Sequence, residues 1–165
     1  MSSTKIFRRK IISKETFVCL IIVIFVFILD RISKIKIINE QIRTNSLFIN
    51  DYLNFDLVWN TGISFGLFSH NANIYYHAIS FLIFLVIVFL SYLIIKAVYL
   101  DKILFSLILG GALGNFFDRI YYYAVPDFID IHVNDFHWFT FNIADIFITM
   151  GVILLIIKDL RLNKK

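Results

Sequence analysis

Polar and charged side chains lie at the ends of the long apolar segments of this chain. Residues 110–119, with the sequence GGALGNFFDR, end one such segment and bring an amide, a carboxylate and a guanidinium to its edge. A charged side chain at the centre of a bilayer costs about 2.5–3.5 kcal/mol on insertion scales, so membrane segments keep such groups where they face protein or a wet cavity. Similar clusters occupy residues 30–34 and 60–66, and Asp127 with Asp145. The pattern predicts apolar spans that share one polar site.

The overall composition places the chain among membrane proteins. Its 165 residues are 59% hydrophobic with a mean hydropathy of +0.80, which is outside the range of soluble domains. About 20 apolar residues cross a bilayer core. Four segments qualify as spans, at about residues 16–34, 74–95, 100–118 and 142–158. We therefore expect an all-α membrane protein, a four-transmembrane-helix bundle that forms a single domain over residues 1–165.

Lysine and arginine residues predict the orientation of these spans. They precede the first span, follow the fourth, and flank the short link between the second and third. By the positive-inside rule, both termini and that link are cytoplasmic, and the connections at about residues 35–73 and 118–142 face outward. The polar clusters then lie near the outer leaflet. The net charge of +4 reflects topology and attraction to anionic membrane lipid, and we do not interpret it as nucleic-acid binding. No cleavage site follows the first apolar segment, which is expected to remain in the membrane.

The outer connections contain strand-like patterns. Residues 47–53 and 55–59 alternate apolar residues with Asn, Asp and Tyr, and turn residues follow at positions 50–51 and 61–62. The pattern predicts a small strand-rich extracytoplasmic platform. Residues 121–141 have a similar aromatic density and suit the interfacial belt of a membrane protein.

Two carboxylates at a membrane edge suggest acid–base chemistry on water. Carboxylates held a few ångströms apart share a proton, so that one can accept a proton from water while the other donates. Pro126 is expected to fix the position of Asp127 in its loop. A structural alternative remains open, in which Asp127 caps a turn and Asp145 caps or starts the fourth helix.

Other chemistries fit the sequence less well. The segment at residues 62–66 matches the pattern G-x-S-x-G with Ser64 as nucleophile, but that pattern needs an α/β sheet for which four spans leave no room. The four histidines include no HExxH motif, and Cys19 lies alone in an apolar segment, so no metal site is predicted. A proton-coupled transporter could use Asp30, Asp118 and Asp145 as a relay, although the inner halves of the spans are almost entirely apolar. A noncatalytic membrane scaffold remains a further alternative.

Five motifs occur in an order that resembles a known family. They are Asp30-x-x-x-Lys34, Asn60-x-Gly62-x-Ser64-Phe65-Gly66, the segment at residues 110–119, Val125-x-Asp127-Phe128-Ile129-Asp130, and Phe141-Asn142-x-Ala144-Asp145. Together they are similar to the bacterial lipoprotein signal peptidases, also called signal peptidase II, over about residues 16–157. Pro126 and Ser64 depart from the commoner family residues.

The resemblance implies an intramembrane aspartic endopeptidase of the bacterial inner membrane. Such enzymes remove the signal peptide from diacylglyceryl-modified prolipoproteins by cleaving before the lipidated cysteine. The resemblance assigns catalysis to Asp127 and Asp145, without metal or cofactor, in an enzyme expected to act as a monomer. The residues that it assigns to substrate binding or support of the site are Asp30, Lys34, Asn60, Gly62, Gly111, Gly114, Asn115, Arg119, Asn142 and Ala144.

Overall fold

The described part of the chain forms four helices and four strands. The computed structural model describes residues 14–41, 47–62, 72–134 and 136–162. The helices are α1 (Lys14–Gln41), α2 (Ala72–Lys96), α3 (Tyr99–Tyr121) and α4 (Ile143–Leu162). The strands are β1 (Leu47–Asn50), β2 (Leu53–Asn60), β3 (Val125–Val133) and β4 (Phe136–Phe141).

Three of the described helices are long and apolar enough to cross a membrane. These segments are Lys14–Glu40, Tyr76–Lys96 and Tyr99–Tyr121. Helix α4 carries Asp145 near its start and Lys158, Asp159 and Arg161 near its end, so only residues 146–157 form an uncharged stretch. Three membrane helices are thus supported, and the fourth span stays a prediction. Helix α1 also continues to Gln41, beyond the expected span end at residue 34.

Helix α3 lies at the centre of the helical part. It contacts α1, α2 and α4, and its buried residues Ile108, Leu109 and Ala112 pack with Ile87 and Leu90 of α2. Many large apolar side chains on the other helices point outward, as expected where lipid replaces water as the solvent.

Two glycines of α3 bring the neighbouring helices close to it. A Cβ atom on Gly111 would lie 2.6 Å from the carbonyl oxygen of Ala144 in α4. A Cβ atom on Gly114 would lie 2.5 Å from Oδ2 of Asp30 in α1. Small residues allow close helix contact in membranes. The predicted role of both glycines in close approach therefore applies to helix packing at the polar end of α3.

The strands form an antiparallel sheet in the order β1-β2-β3-β4. Strand β2 pairs with β3 so that Asn60 faces Val125 and Val58 faces Asp127. One apolar cluster joins the sheet to the helices, since Ile37 near the end of α1 packs with Phe128 and Ile129 of β3. The sheet thereby holds β3 against the ends of the helices that carry polar residues.

The sheet is larger than the sequence predicted. Strands β1 and β2 confirm the expected strand-rich segment at residues 47–59. Residues 121–141, for which the sequence predicts an interfacial aromatic role, contain β3 and β4. The mostly helical fold with a small antiparallel sheet agrees with the predicted helices and strand-rich platform, and the sheet also includes β3 and β4. The expectation that Asp127 lies on a loop is wrong, because it lies within β3, where Pro126 pairs with Trp59. The sequence pattern does not predict β3, because its first six residues are all buried and show no two-residue alternation.

Candidate active site

Polar side chains from four elements meet at one end of α3. Asn60 ends β2, Asn115 lies in the last two turns of α3, and Asp127 lies in β3. Asn142 directly precedes α4, and Asp145 is in the first turn of that helix. Hydrogen bonds connect these five residues, although they are far apart along the chain.

Asp127 is buried and accepts a hydrogen bond on each carboxylate oxygen. Nδ2 of Asn142 donates to its Oδ1 at 2.6 Å, and Nδ2 of Asn60 donates to its Oδ2 at 2.9 Å. Oδ1 of Asn60 accepts in turn from the backbone N–H of Gly62 at 2.7 Å. The turn that ends β2 thus fixes the amide of Asn60, and that amide helps to fix Asp127.

Asn142 links the two aspartates. Its Oδ1 accepts from the backbone N–H of Asp145 at 3.1 Å, while Oδ2 of Asp145 accepts from the backbone N–H of Asn142 at 3.1 Å. This reciprocal pair is a capping box, in which an N-cap residue and the third residue of a helix satisfy each other's free backbone donors. Asp145 therefore takes part in the cap of α4, as the structural alternative expects. The same Asn142 side chain also reaches Asp127, so the cap of α4 positions both carboxylates.

A buried cation supports Asp145 through Asn115. Nζ of Lys34 donates to Oδ2 of Asp30 at 2.8 Å, to Oδ1 of Asn115 at 2.8 Å and to Oδ2 of Asp118 at 2.7 Å. Nδ2 of Asn115 is then directed at Oδ1 of Asp145, 2.7 Å away. Because the cation occupies the amide oxygen of Asn115, the amide can present only its nitrogen to the aspartate.

Asp30 and Ala144 tie α1 to the start of α4. The backbone N–H of Ala144 donates to Oδ1 of Asp30 at 3.0 Å, and both residues are fully buried. The first turn of a helix has free N–H donors that a carboxylate can satisfy. Asp30 therefore stabilises the helix start that carries Asp145.

Arg31 is a member of this network that the sequence reasoning did not single out. Its guanidinium forms an ion pair with Asp118 at 2.5 Å and lies 5.0 Å from the centre of the Phe117 ring. Its place beside Asp30 in an apolar segment is the signal that would have identified it.

Arg119 has a different environment from Asp118, although they are neighbours in sequence. Nη1 of Arg119 lies 3.5 Å from the carbonyl oxygen of Thr61, and its guanidinium lies 6.0 Å from the centre of the Tyr76 ring. A Cβ atom on Gly62, whose φ is +76°, would come within 3.0 Å of this guanidinium. The positive φ and the close contact both favour glycine at position 62. Arg119 thus lies beside the turn after β2, next to Asn60.

Burial raises the pKa of Asp127 above the ordinary value of an aspartate. The hydrogen bonds from Asn60 and Asn142 oppose this rise, and the negative charge of Asp145 adds to it. Perturbed carboxylates beside a second carboxylate are typical of acid–base sites, although ion-pair networks also produce them.

An apolar groove opens beside Asp145. Its volume is about 530 Å³, and it is lined by β3, β4 and α4 through residues that include Ile131, Phe141 and Met150. Asp145 is the one ionisable residue among its described lining residues. A groove of this kind suits an apolar ligand whose reactive part lies against a carboxylate.

Some predicted features lie outside this geometry. Ser64 and Gly66 of the G-x-S-x-G pattern fall outside the described residues, as does His70. Within the described residues, one group of acidic and histidine side chains is suited to hold a metal ion. It lies on the sheet and consists of Asp130, His132 and His137. That group does not include either aspartate of the site.

Comparison with known sequences identifies the family. Residues 22–161 match the family model described as signal peptidase (SPase) II. A lipoprotein signal peptidase of Pelagibacter ubique is 46% identical over 158 residues, which cover 94% of this chain and 95% of that protein. A lipoprotein signal peptidase of Anaplasma phagocytophilum is 40% identical over 151 residues, covering 90% and 95% of the two chains.

Solved structures agree with these sequences. A bacterial membrane enzyme determined by the in meso method at 1.9 Å resolution matches with a TM-score of 0.72 and 33% identity, over 86% of this chain and 92% of that one. A second structure, at 2.3 Å, matches with a TM-score of 0.66 and 32% identity, over 88% of each chain. The motifs, the fold and these relatives lead to one conclusion: the chain belongs to the signal peptidase II family.

Proposed function

We propose that this protein is an aspartic endopeptidase that removes signal peptides from diacylglyceryl-modified prolipoproteins, with Asp127 and Asp145 as catalytic residues. The relatives named lipoprotein signal peptidase support the substrate class. The observation that carries the mechanism is the Asn142 side chain, which contacts Asp127 directly and holds Asp145 through the helix cap. Carboxylates on separate elements are thereby fixed relative to each other.

The two carboxylates work as a unit that carries one proton. The ionised member takes a proton from water as the water oxygen bonds to the scissile carbonyl carbon, and the protonated member donates to the carbonyl oxygen. In the second step a proton passes to the amide nitrogen, the C–N bond breaks, and a carboxyl group and an amine are released. The raised pKa of Asp127, to which the negative charge of Asp145 contributes, supports a proton shared by the pair. The macroscopic pKa values belong to the pair.

The supporting residues hold this pair and the substrate backbone. Lys34, Asp30 and Asn115 orient Asp145, while Asn60 orients Asp127. Arg119, close to Asn60, is available to the peptide backbone or to the lipid-bearing end of the substrate. Gly62, Gly111, Gly114 and Ala144 provide the close packing that these contacts require.

The groove beside Asp145 receives the apolar part of the substrate. A signal-peptide helix and its acyl chains reach the enzyme laterally through the bilayer, and the lining of the groove is almost entirely apolar. The proposed topology has four spans, both termini in the cytoplasm and the site near the outer leaflet of the inner membrane. The basic residues that flank the helices support this orientation.

Cleavage of a purified lipidated prolipoprotein tests the mechanism. Asp127→Asn and Asp145→Asn should each reduce cleavage by at least about 10²- to 10⁴-fold, because asparagine cannot exchange the proton. The double variant should be scarcely slower than either single one, since the residues act together. Asp56→Asn is the matched control, because Asp56 is exposed on β2 of the same sheet. A folded Asp127→Asn protein that cleaves at the wild-type rate would contradict the proposal, and no cleavage by wild type would favour a transporter or scaffold.

Cysteine labelling tests the topology separately. A cysteine replacing Ala97, in the link between α2 and α3, should react only with reagents that reach the cytoplasm. A cysteine replacing Asn134, in the turn between β3 and β4, should react from outside the cell. Both positions lie outside the four proposed spans, and Cys19 is buried. Labelling of both sites from the same side would refute the shared outer-leaflet site.

A further inference from the structure

A second group of ionisable side chains lies on the sheet, separate from the two aspartates. It consists of Asp130 and His132 of β3 and His137 of β4. Nδ1 of His137 lies 2.7 Å from Oδ2 of Asp130, and Nδ1 of His132 lies 3.6 Å from the same oxygen. Each residue offers one ligand atom, and the three atoms lie within 4.8 Å of one another.

The pairing of β3 with β4 creates this group. Asp130 and His132 are two residues apart on one strand and therefore share a face. His132 lies directly opposite His137 in the antiparallel pair, and the two rings are stacked with centroids 5.1 Å apart. The linear sequence shows no metal motif, because the ligand set depends on strand pairing across a turn.

His132 provides an independent indication of a missing partner. The residue is 7% exposed, and its Nδ1 atom is buried without a hydrogen-bond partner. Buried polar side-chain atoms in native proteins nearly always have a partner. This nitrogen lies 3.6 Å from Oδ2 of Asp130, so an ion bound between the two atoms would give the nitrogen a partner.

We propose that Asp130, His132 and His137 form a binding site for a divalent transition-metal ion of the zinc class. Two imidazoles and one carboxylate are a ligand set that Zn²⁺ accepts, with a fourth position left for water. Tetrahedral bonds of about 2.0–2.1 Å require ligand atoms about 3.3 Å apart, so His137 must move slightly away from Oδ2 of Asp130, now 2.7 Å away, and His132 slightly closer, from 3.6 Å. The His137 side chain is 57% exposed and can make this adjustment. A bound ion cross-links β3, the strand of Asp127, to β4, and this role is independent of the aspartic mechanism.

Zinc binding to the full-length protein tests the proposal. The protein is purified in detergent without a polyhistidine tag, stripped with EDTA, dialysed and titrated with ZnCl₂, and bound zinc is measured by mass spectrometry. Wild type should bind one equivalent. His132→Ala and His137→Ala should each weaken binding at least about tenfold, because loss of a ligand should cost no less than loss of an outer-shell partner. His77→Ala, which removes an exposed histidine of α2, should bind as wild type does.

A second measurement keeps the test valid if His132→Ala does not fold. His137 is largely exposed, so His137→Ala should fold, and Zn²⁺ should raise the melting temperature of wild type but not of this variant. Equal zinc affinity in wild type and His137→Ala, or no zinc binding by wild type, would overturn the proposal.

Discussion

Asn142 allows the cap of α4 to be separated from the support of Asp127. Replacing it with serine keeps a good N-cap, because the serine oxygen can accept from the backbone N–H of Asp145. Serine is too short to replace the 2.6 Å hydrogen bond from Nδ2 to Asp127. Alanine removes both interactions. The two substitutions therefore differ by the helix cap alone.

General energies of hydrogen bonds and helix caps set the size of each effect. A hydrogen bond to a charged group is worth about 1.5–3 kcal/mol. If the Asp127 contact acts in the transition state, its loss slows cleavage by about 10- to 150-fold in both variants, since 1.36 kcal/mol corresponds to a factor of ten. The cap adds about 1 kcal/mol of stability, so Asn142→Ala should melt about 2–4 °C below Asn142→Ser.

The pH profile provides a further check. The Asn142 hydrogen bond lowers the pKa of Asp127, so its removal should shift the Asp127 limb of the cleavage profile to higher pH. Asn60→Ala removes the other donor and should shift that limb in the same direction, without weakening the cap. Cleavage rates and melting curves in detergent measure both effects. Wild-type cleavage by Asn142→Ser with an unshifted profile would refute the role of Asn142 as the link between the aspartates.

Three further predictions concern the stability of the site. The pKa of Asp127 is raised in the folded protein, so the protein loses stability as pH rises from the pKa of Asp127 in the unfolded chain to its pKa in the folded protein. In Asp127→Asn the melting temperature should therefore fall less steeply with pH than in wild type. An equal slope in the two proteins would contradict this prediction. Gly114→Ala should lower the free energy of unfolding by about 1–3 kcal/mol and slow cleavage, because its Cβ would lie 2.5 Å from Oδ2 of Asp30. An unchanged melting temperature would show that α1 and α3 can move apart without cost. Lys34→Met should destabilise the protein by about 3–5 kcal/mol, because Asp30 and Asp118 lose a buried cation. A wild-type melting temperature in Lys34→Met would refute this role of Lys34.

The sequence indicates which residues lie at the candidate site better than it indicates how they contact one another. Polar residues near apolar segments point to one shared site that includes Asp127 and Asp145, and the family resemblance adds Asn60, Asn115 and Asn142 as supporting residues. Their hydrogen bonds could not be predicted, since they depend on how strands and helices from distant parts of the chain meet.

Strand β3 shows where hydrophobic periodicity fails to predict a strand. Strand β3 is buried on both faces along its first half, so it lacks the alternation that revealed β2. The His132–His137 pair was missed for a related reason, because cross-strand neighbours are set by register and not by spacing along the chain.

The charges at the junction of α1 and α3 have a consequence for membrane insertion. Helix α1 brings Asp30, Arg31 and Lys34, and α3 brings Asp118, so two cations and two anions balance only when both helices are in place. On its own, α1 leaves one positive charge of this group without a counter-charge. We therefore expect α1 to reach its final position during biogenesis only once α3 is present to supply Asp118.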